Sequence, residues 1–208
     1  MALTRCYRNG DLIDEGFPVE KVSDHLAEDD TVVWFDLCEP SEQDLAAISE
    51  ELGLHPLAVE DAIQPHERPK LDHYATHLFL TAYSTSLNDA TGALQTDEVA
   101  AFVLRRALVT VRKTDGFDIK DVMSRWDNAD AALSKSGVAF LLHGLLDHIV
   151  DTQFNTIQRL DSDMEALEET LFSDVIKDAA MQRRTYELRK SLVMLRRVVS
   201  PMREVVNT

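Results

Sequence analysis

The last third of the chain constrains the fold most, because it lacks the residues that interrupt helices. No glycine follows Gly144, and no proline lies between Pro69 and Pro201. Apolar residues in this part recur at steps of three and four, which is the spacing of one helix face. The pattern predicts two long helices with a corner at FSDVIKDA (172–179). The predicted apolar stripes are Val150, Phe154, Ile157, Leu160, Met164, Leu167 and Leu171, then Leu188, Leu192, Leu195, Val199, Met202 and Val206.

Charge supports a hairpin of these two helices. The first carries acidic residues in its second half, and the second is basic along most of its length. Opposite charges favour antiparallel packing, so we expect a helical hairpin over residues 134–208, packed on or extending from the rest. The acidic set is Asp161, Asp163, Glu165, Glu168 and Glu169; the basic set is Arg183, Arg184, Arg189, Lys190, Arg196, Arg197 and Arg203.

Residues 1–133 have the pattern of a mixed α/β domain. Asn9-Gly10 predicts a tight turn in a hairpin from Thr4 to Gly16, since both turn positions need positive φ. A capping motif at Ser41 and a terminal Gly53 bound a predicted helix. Strands are predicted at 31–37, 77–87, 97–105 and 107–113 and a helix at 116–128, giving a mixed, partly antiparallel sheet.

Composition limits the partners. The 208 residues carry a net charge of −16, which argues against nucleic acid and against adhesion to an anionic membrane surface. Divalent cations are natural counter-ions for so acidic a chain. Cys6 and Cys38 show no CxxC spacing, so they are expected to be reduced thiols. No signal peptide and no apolar run of roughly 20 residues is present, so the polypeptide as given is expected to be soluble.

Carboxylates are concentrated in GLHPLAVEDAIQPHERPKLDHY (53–74). Magnesium is a hard cation that keeps most of its waters and binds through one or two carboxylates. Glu60 and Asp61 lie on a short helix predicted between Pro56 and Pro65. As neighbours on a helix they point about 100° apart, so they suit two adjacent ions, or one ion and an outer water. Solvated surface acids are the competing interpretation.

A second group of candidate ligands lies on the first long helix. His143, Asp147 and Asp151 follow one another at steps of four residues, so they share a helix face that could hold a softer ion such as zinc or cobalt. An ordinary surface pair of histidine and aspartate is the alternative. Asp147 and Asp151 repel each other at this spacing by ~0.2–0.5 kcal/mol, which a bound cation would relieve.

Three segments together carry a family resemblance. The stretch 53–74 resembles the signature of the cytoplasmic domain in the CorA family of magnesium and cobalt transporters. LLHGLLDHIVDTQFNTIQRLDSDMEALEETLF (141–172) is similar to that family's first long helix, and LRKSLVMLRRVVSPMREVV (188–206) to the next. The match runs in the family's order from about Val32 to the end. It implies an α/β/α sandwich carrying a helical extension, with five copies around an axis.

The resemblance also implies roles for particular residues. By the family's motif, Glu60 and Asp61 bind regulatory divalent ions at the subunit interface, and Asp147 is a further metal ligand. The remaining ligand lies on a stalk helix that is missing here, as are both membrane helices and the Gly-Met-Asn signature. The implied protein is the Mg²⁺-sensing domain of a homopentameric transporter on the cytoplasmic side of the inner membrane, with bound Mg²⁺ favouring a closed pore. Membrane contact would come only through the missing segment.

Alternatives differ in the ion and in the class of protein. A zinc-transporting branch of the same family would use His143 and Asp151 as further ligands, and cobalt or nickel are other candidate ions. A divalent-dependent hydrolase is disfavoured because the chain has no Gly-rich phosphate loop, nucleophile elbow or HExxH helix, so we predict that it is not an enzyme. A scaffold domain would explain the hairpin but not the acidic stretch. The transported ion and the direction of transport stay open.

Overall fold

A seven-stranded sheet between two layers of helices forms the chain's framework in the computed structural model, which describes residues 2–64, 67–128, 135–172 and 179–207. The strand order is β2-β1-β3-β7-β6-β5-β4. All neighbours are antiparallel except β3 and β7, which are parallel. The strands are β1 (Ala2–Arg8), β2 (Asp11–Glu15), β3 (Thr31–Cys38), β4 (Lys70–His73), β5 (Leu78–Leu87), β6 (Leu94–Val103) and β7 (Ala107–Arg112).

The described helices divide between the two faces of the sheet. A short 3-10 turn (Val19–Lys21) precedes the first α-helix. The α-helices are α1 (Val22–Ala27), α2 (Glu42–Leu52), α3 (Pro56–Ile63), α4 (Ile119–Asp127), α5 (Val138–Phe172) and α6 (Ala179–Val206). One core joins α1, α2 and α3 to one face of the sheet, and a second joins α4, α5 and α6 to the other. The predicted α/β/α sandwich with a mixed, partly antiparallel sheet is confirmed.

Local sequence signals placed several of these elements correctly. Asn9 and Gly10 have φ of 53° and 94° at the turn of the β1–β2 hairpin. Ser41 and Asp44 form a reciprocal capping box at the start of α2, and Gly53 ends that helix with φ of 62°. These motifs act within a few residues, so they need no tertiary context to work.

Trp126 fixes how closely α4 and α5 approach the sheet. Its ring packs edge-on against Trp34 of β3, with ring centroids 4.5 Å apart. A Cβ atom built on Gly144 of α5 would lie 2.3 Å from Trp126 Nε1. Only glycine therefore lets α5 pass this close to the indole.

The two long helices pack antiparallel, as predicted. Leu160 of α5 shares a core with Leu188 and Leu195 of α6, and Arg184 lies 2.5 Å from Asp163. The corner predicted at 172–179 falls mostly on residues outside those the structure describes. The boundary between the predicted domains 1–133 and 134–208 also falls outside them, so that division stays a prediction.

Most of the apolar stripe predicted on α5 lies at the surface. Phe154 is 58% exposed, Val150 44%, and Ile157 and Met164 36% each, whereas Leu160 is buried. The helix buries Leu145 and Ile149, which the predicted stripe did not include. Towards β5 the helix instead presents Thr152 and Thr156, which hydrogen-bond to Thr85. The inward face thus mixes threonines with leucines, and part of the apolar pattern lies at the surface. Across the described ranges, no helix combines the length and apolarity needed to cross a membrane.

Candidate divalent-cation site

Helix α3 presents the first pair of predicted ligands. Pro56 opens it, as predicted, and the His55 side chain caps it by accepting from Leu57 N–H at 3.3 Å. Ala58 and Ala62 face the core, so Glu60 is left exposed and Asp61 half-buried. The helix ends at Ile63; Pro65, predicted to end it, and His66 lie outside the described residues.

Lys70 is the closest charged partner of Asp61. Its Nζ donates to Asp61 Oδ2 at 2.6 Å and also lies 3.3 Å from Asp72 Oδ2 and 3.4 Å from Glu67 Oε2. The Lys70 side chain is 18% exposed. Burial by itself would lower the pKa of Lys70, but the hydrogen bond and charge of Asp61, with those of Asp72, outweigh it and raise the pKa. The ammonium therefore stays charged beside three carboxylates.

A polar network fixes the two sides of the link between α3 and β4. Tyr83 Oη lies 2.9 Å from Glu98 Oε2 and contacts the carbonyl of Glu67. Lys113 Nζ lies 2.5 Å from Glu98 Oε1 and contacts the carbonyl of Gln64. The chain is thus tied to the sheet just before and just after residues 65–66, which helps to hold Asp61 opposite Lys70.

The second group of predicted ligands is held by an arginine. Arg125 of α4 donates from Nη1 to Asp147 Oδ2 and from Nη2 to Asp151 Oδ2, each at 2.6 Å. Its hydrogen bond to Asp151 is the main reason that its pKa is raised. The cation that relieves the repulsion between the two aspartates is therefore Arg125 in this structure.

His143 precedes this pair by one helical turn and is exposed. The described part of the chain contains no group of three or more His, Cys, Asp or Glu side chains that could hold a metal ion. The zinc alternative, which depends on His143 and Asp151, stays a prediction.

The two predicted acidic sites lie in different layers of the sandwich. Asp61 belongs to α3, which packs on one face of the sheet, and Asp147 to α5, which packs on the other. Their oxygen ligands suit Mg²⁺ in kind, but one chain does not bring them together. A site that used both would need two copies of the chain.

Sequence reasoning anticipated the acids better than their partners. Lys70, which bonds to Asp61, lies in the same acidic stretch, 53–74. Sequence reasoning missed Arg125, Tyr83, Glu98 and Lys113, which are distant in sequence from the groups they contact. The only available signal for Arg125 was the unrelieved repulsion of Asp147 and Asp151.

The fold is shared with a solved domain. The soluble domain of CorA from Methanocaldococcus jannaschii superimposes with a TM-score of 0.76 at 16% identity, covering 99% of this chain and 77% of that one. At this identity the likeness shows the fold alone, and it places the chain in the class of α/β/α domains that carry a long helical hairpin.

Sequence comparison gives the family. The model described as "CorA-like Mg2+ transporter protein" matches residues 29–208, so the chain belongs to the CorA family. The cobalt/magnesium transport protein CorA of Thermotoga maritima is 26% identical over 161 residues, covering 77% of this chain and 45% of the relative. The putative metal ion transporter YfjQ of Bacillus subtilis is 28% identical over 192 residues, covering 92% and 57%. The chain thus spans about half the length of these curated relatives.

Family membership decides one alternative. The matching family and relatives are described as ion transporters, not enzymes. The prediction that the chain is not an enzyme is confirmed by its family, and the hydrolase alternative is set aside.

Proposed function

We propose that this chain is the cytoplasmic, cation-sensing domain of a CorA-type magnesium transporter. In the full protein, five copies would surround an axis on the inner face of the membrane, and segments outside this chain would form the pore. The family match and the shared fold support this assignment, and so does a net charge of −16, which suits divalent counter-ions. Cobalt or nickel are further candidates for the transported ion.

The observation that carries the proposal is the placement of Asp61 and Asp147 in opposite layers of the sandwich. A single copy cannot join them, whereas adjacent copies can face α3 of one towards α5 of the next. Glu60, exposed beside Asp61, would then hold a second ion or an outer-shell water. Mg²⁺ would complete its shell with waters.

Exposed apolar side chains on α5 support such a contact. Four apolar residues of α5 are exposed: Val150, Phe154, Ile157 and Met164. They lie on the helix face that carries Asp147 and Asp151, or at the border of that face. A row of apolar groups of this kind is a common mark of a surface that is covered in an assembly.

Regulation follows from differential binding. With Lys70 and Arg125 in place, the two acidic groups still carry an excess of negative charge. Facing each other across an interface they would repel, and a bound ion would remove that repulsion, so Mg²⁺ would bind the closed, symmetric form better than an open one. Only such a difference in affinity can shift a conformational equilibrium. A bias of about 1 kcal/mol at each of five interfaces would total about 5 kcal/mol, close to the ~5.5 kcal/mol that moves a population from 1:99 to 99:1. Internal Mg²⁺ would then close its own uptake route.

The test records currents from the full-length transporter while cytoplasmic Mg²⁺ is titrated. We expect Asp61→Ala to need more Mg²⁺ for closure. Asp61→Lys places an ammonium at the interface and should favour closure without Mg²⁺. Asp29→Ala removes an exposed acid elsewhere and should behave as wild type. Unchanged inhibition curves in both Asp61 variants would remove Asp61 from the sensing role.

A further inference from the structure

We propose that Lys70 is a tethered competitor of the divalent cation for Asp61, and that this competition sets the Mg²⁺ concentration to which the domain responds. The inference rests on the proposed role of Asp61 as a metal ligand. It adds a residue that lowers the affinity of the site rather than one that binds the ion.

The geometry puts the ammonium where the competition must occur. Lys70 Nζ is 2.6 Å from Asp61 Oδ2, so an Mg²⁺ at that oxygen would meet the charge of the ammonium at close range and binds better once the ammonium moves away. The charge-assisted bond is short and only 18% of the Lys70 side chain is exposed, so water screens the pair less than it would at an open surface.

The surroundings allow exchange without leaving the ammonium unpaired. Glu67 Oε2 and Asp72 Oδ2 lie 3.4 and 3.3 Å from Nζ, and the Phe79 ring centroid is 5.9 Å away. When Mg²⁺ takes Asp61, Lys70 can remain with Glu67 and Asp72. One ammonium among these three carboxylates leaves two negative charges in excess, which one divalent cation balances.

The backbone keeps the competitor in reach at all times. Lys70 opens β4, and its Cα is paired with Thr81 of β5. The lysine therefore stays near Asp61 at any protein concentration. The apparent affinity for Mg²⁺ is the intrinsic affinity multiplied by the fraction of time that Asp61 is free of Lys70. If Asp61 is free for about one tenth of the time, the apparent Kd rises about tenfold.

The first test measures Lys70 itself, in the full-length transporter, where adjacent copies can complete the site. An amine-reactive reagent is applied with and without MgCl₂, with KCl keeping ionic strength constant, and modification of each lysine is quantified by mass spectrometry. We expect Mg²⁺ to speed the modification of Lys70 and to leave Lys120, an exposed lysine of α4, unchanged. In Asp61→Asn, Lys70 should react faster without Mg²⁺ and no longer respond to it. If Mg²⁺ does not change the modification rate of Lys70 in the wild type, the proposed exchange of Lys70 for Mg²⁺ at Asp61 is wrong.

The second test measures affinity in the full-length transporter. Lys70→Met should lower the Mg²⁺ concentration for half-inhibition about tenfold, and Lys70→Arg, which keeps a cation, should stay near wild type. If Asp61→Asn weakens the Mg²⁺ response while Lys70→Met leaves it unchanged or weaker, Lys70 is not a competitor, although the proposed function stands. If neither variant alters the response, Asp61 is not a ligand and both proposals fail. Should Lys70→Met not assemble, the labelling result decides.

Discussion

Asp61 and the Asp147–Asp151 pair are each paired with a cation of the same chain, but in different settings. Lys70, on a strand at the sheet edge, is 18% exposed at its side chain and Asp61 27%. Arg125, on a helix, is 36% exposed, and its two aspartates are each 52% exposed. Shielded charges interact more strongly than solvated ones. The same pairing should therefore matter more at α3 than at α5, both for stability and for any ion that must break it.

The largest effect is expected from Lys70→Met in the chain without divalent ions. Three partly shielded carboxylates lose their shared cation, and we expect a loss of about 2 kcal/mol in the free energy of unfolding. Urea unfolding followed by circular dichroism measures it. Added MgCl₂ should recover part of this loss of stability. If Lys70→Met loses less stability than Arg125→Met, the pairing at α3 does not matter more than the pairing at α5.

The histidines near the two acidic groups differ in burial: His77, near α3, is buried, whereas His143, near Asp147, is exposed. His77 is buried near α3 in a ring stack with Tyr74 and His55, and its Nε2 has no hydrogen-bond partner in the described structure. Burial, and then the charge of His55, lower the pKa of His77 below its ordinary 6.5. As pH falls below about 6.5, the unfolded chain binds a proton that the folded chain does not, so stability decreases until the folded pKa is reached.

Unfolding midpoints in urea at pH 7.5 and 5.5 check this expectation. His77→Phe keeps a ring in the stack and removes the titration, so it should lose less stability on acidification than the wild type. His143→Gln alters an exposed histidine beside the second group and should lose as much as the wild type. An equal loss in His77→Phe and wild type would show that His77 does not contribute.

Arg125→Met should cost less, about 0.5 kcal/mol, because its partners are half in solvent. The same variant leaves Asp147 and Asp151 to repel each other at one-turn spacing. Raising NaCl to about 1 M shortens the screening length to about 3 Å, so the difference from wild type should shrink. If Arg125→Met instead loses about 2 kcal/mol of unfolding free energy at both salt concentrations, the Arg125 pairing contributes as much to stability as the Lys70 pairing.

The smallest effect on stability is expected from Glu60→Gln. The side chain is exposed on α3, and changes at such positions usually remain within about 0.5 kcal/mol. Any change that Glu60→Gln causes in the Mg²⁺ response of the full-length transporter would then reflect binding rather than folding. A large loss of stability would show that Glu60 is part of the fold.

The sequence predicted the parts of the molecule that depend on near neighbours. The Asn9-Gly10 turn, the Ser41 cap and the two long helices need only local pattern. Strand β4 was missed because its four residues become a strand only by pairing with β5. Arg125 meets Asp147 only because α4 packs on α5. The acids could thus be named from the sequence, whereas the cations that hold them come from tertiary packing.

The separation of the two acidic groups by the sheet has a consequence for symmetry. A contact between α3 of one copy and α5 of another joins unlike surfaces, so it is heterologous. A two-fold pair would need both surfaces on one side of the molecule, and here they belong to opposite layers. Each copy would offer a donor face and an acceptor face, and successive copies would turn in one sense until the ring closes. The handedness of such a ring would already be fixed by the order of layers in a single chain.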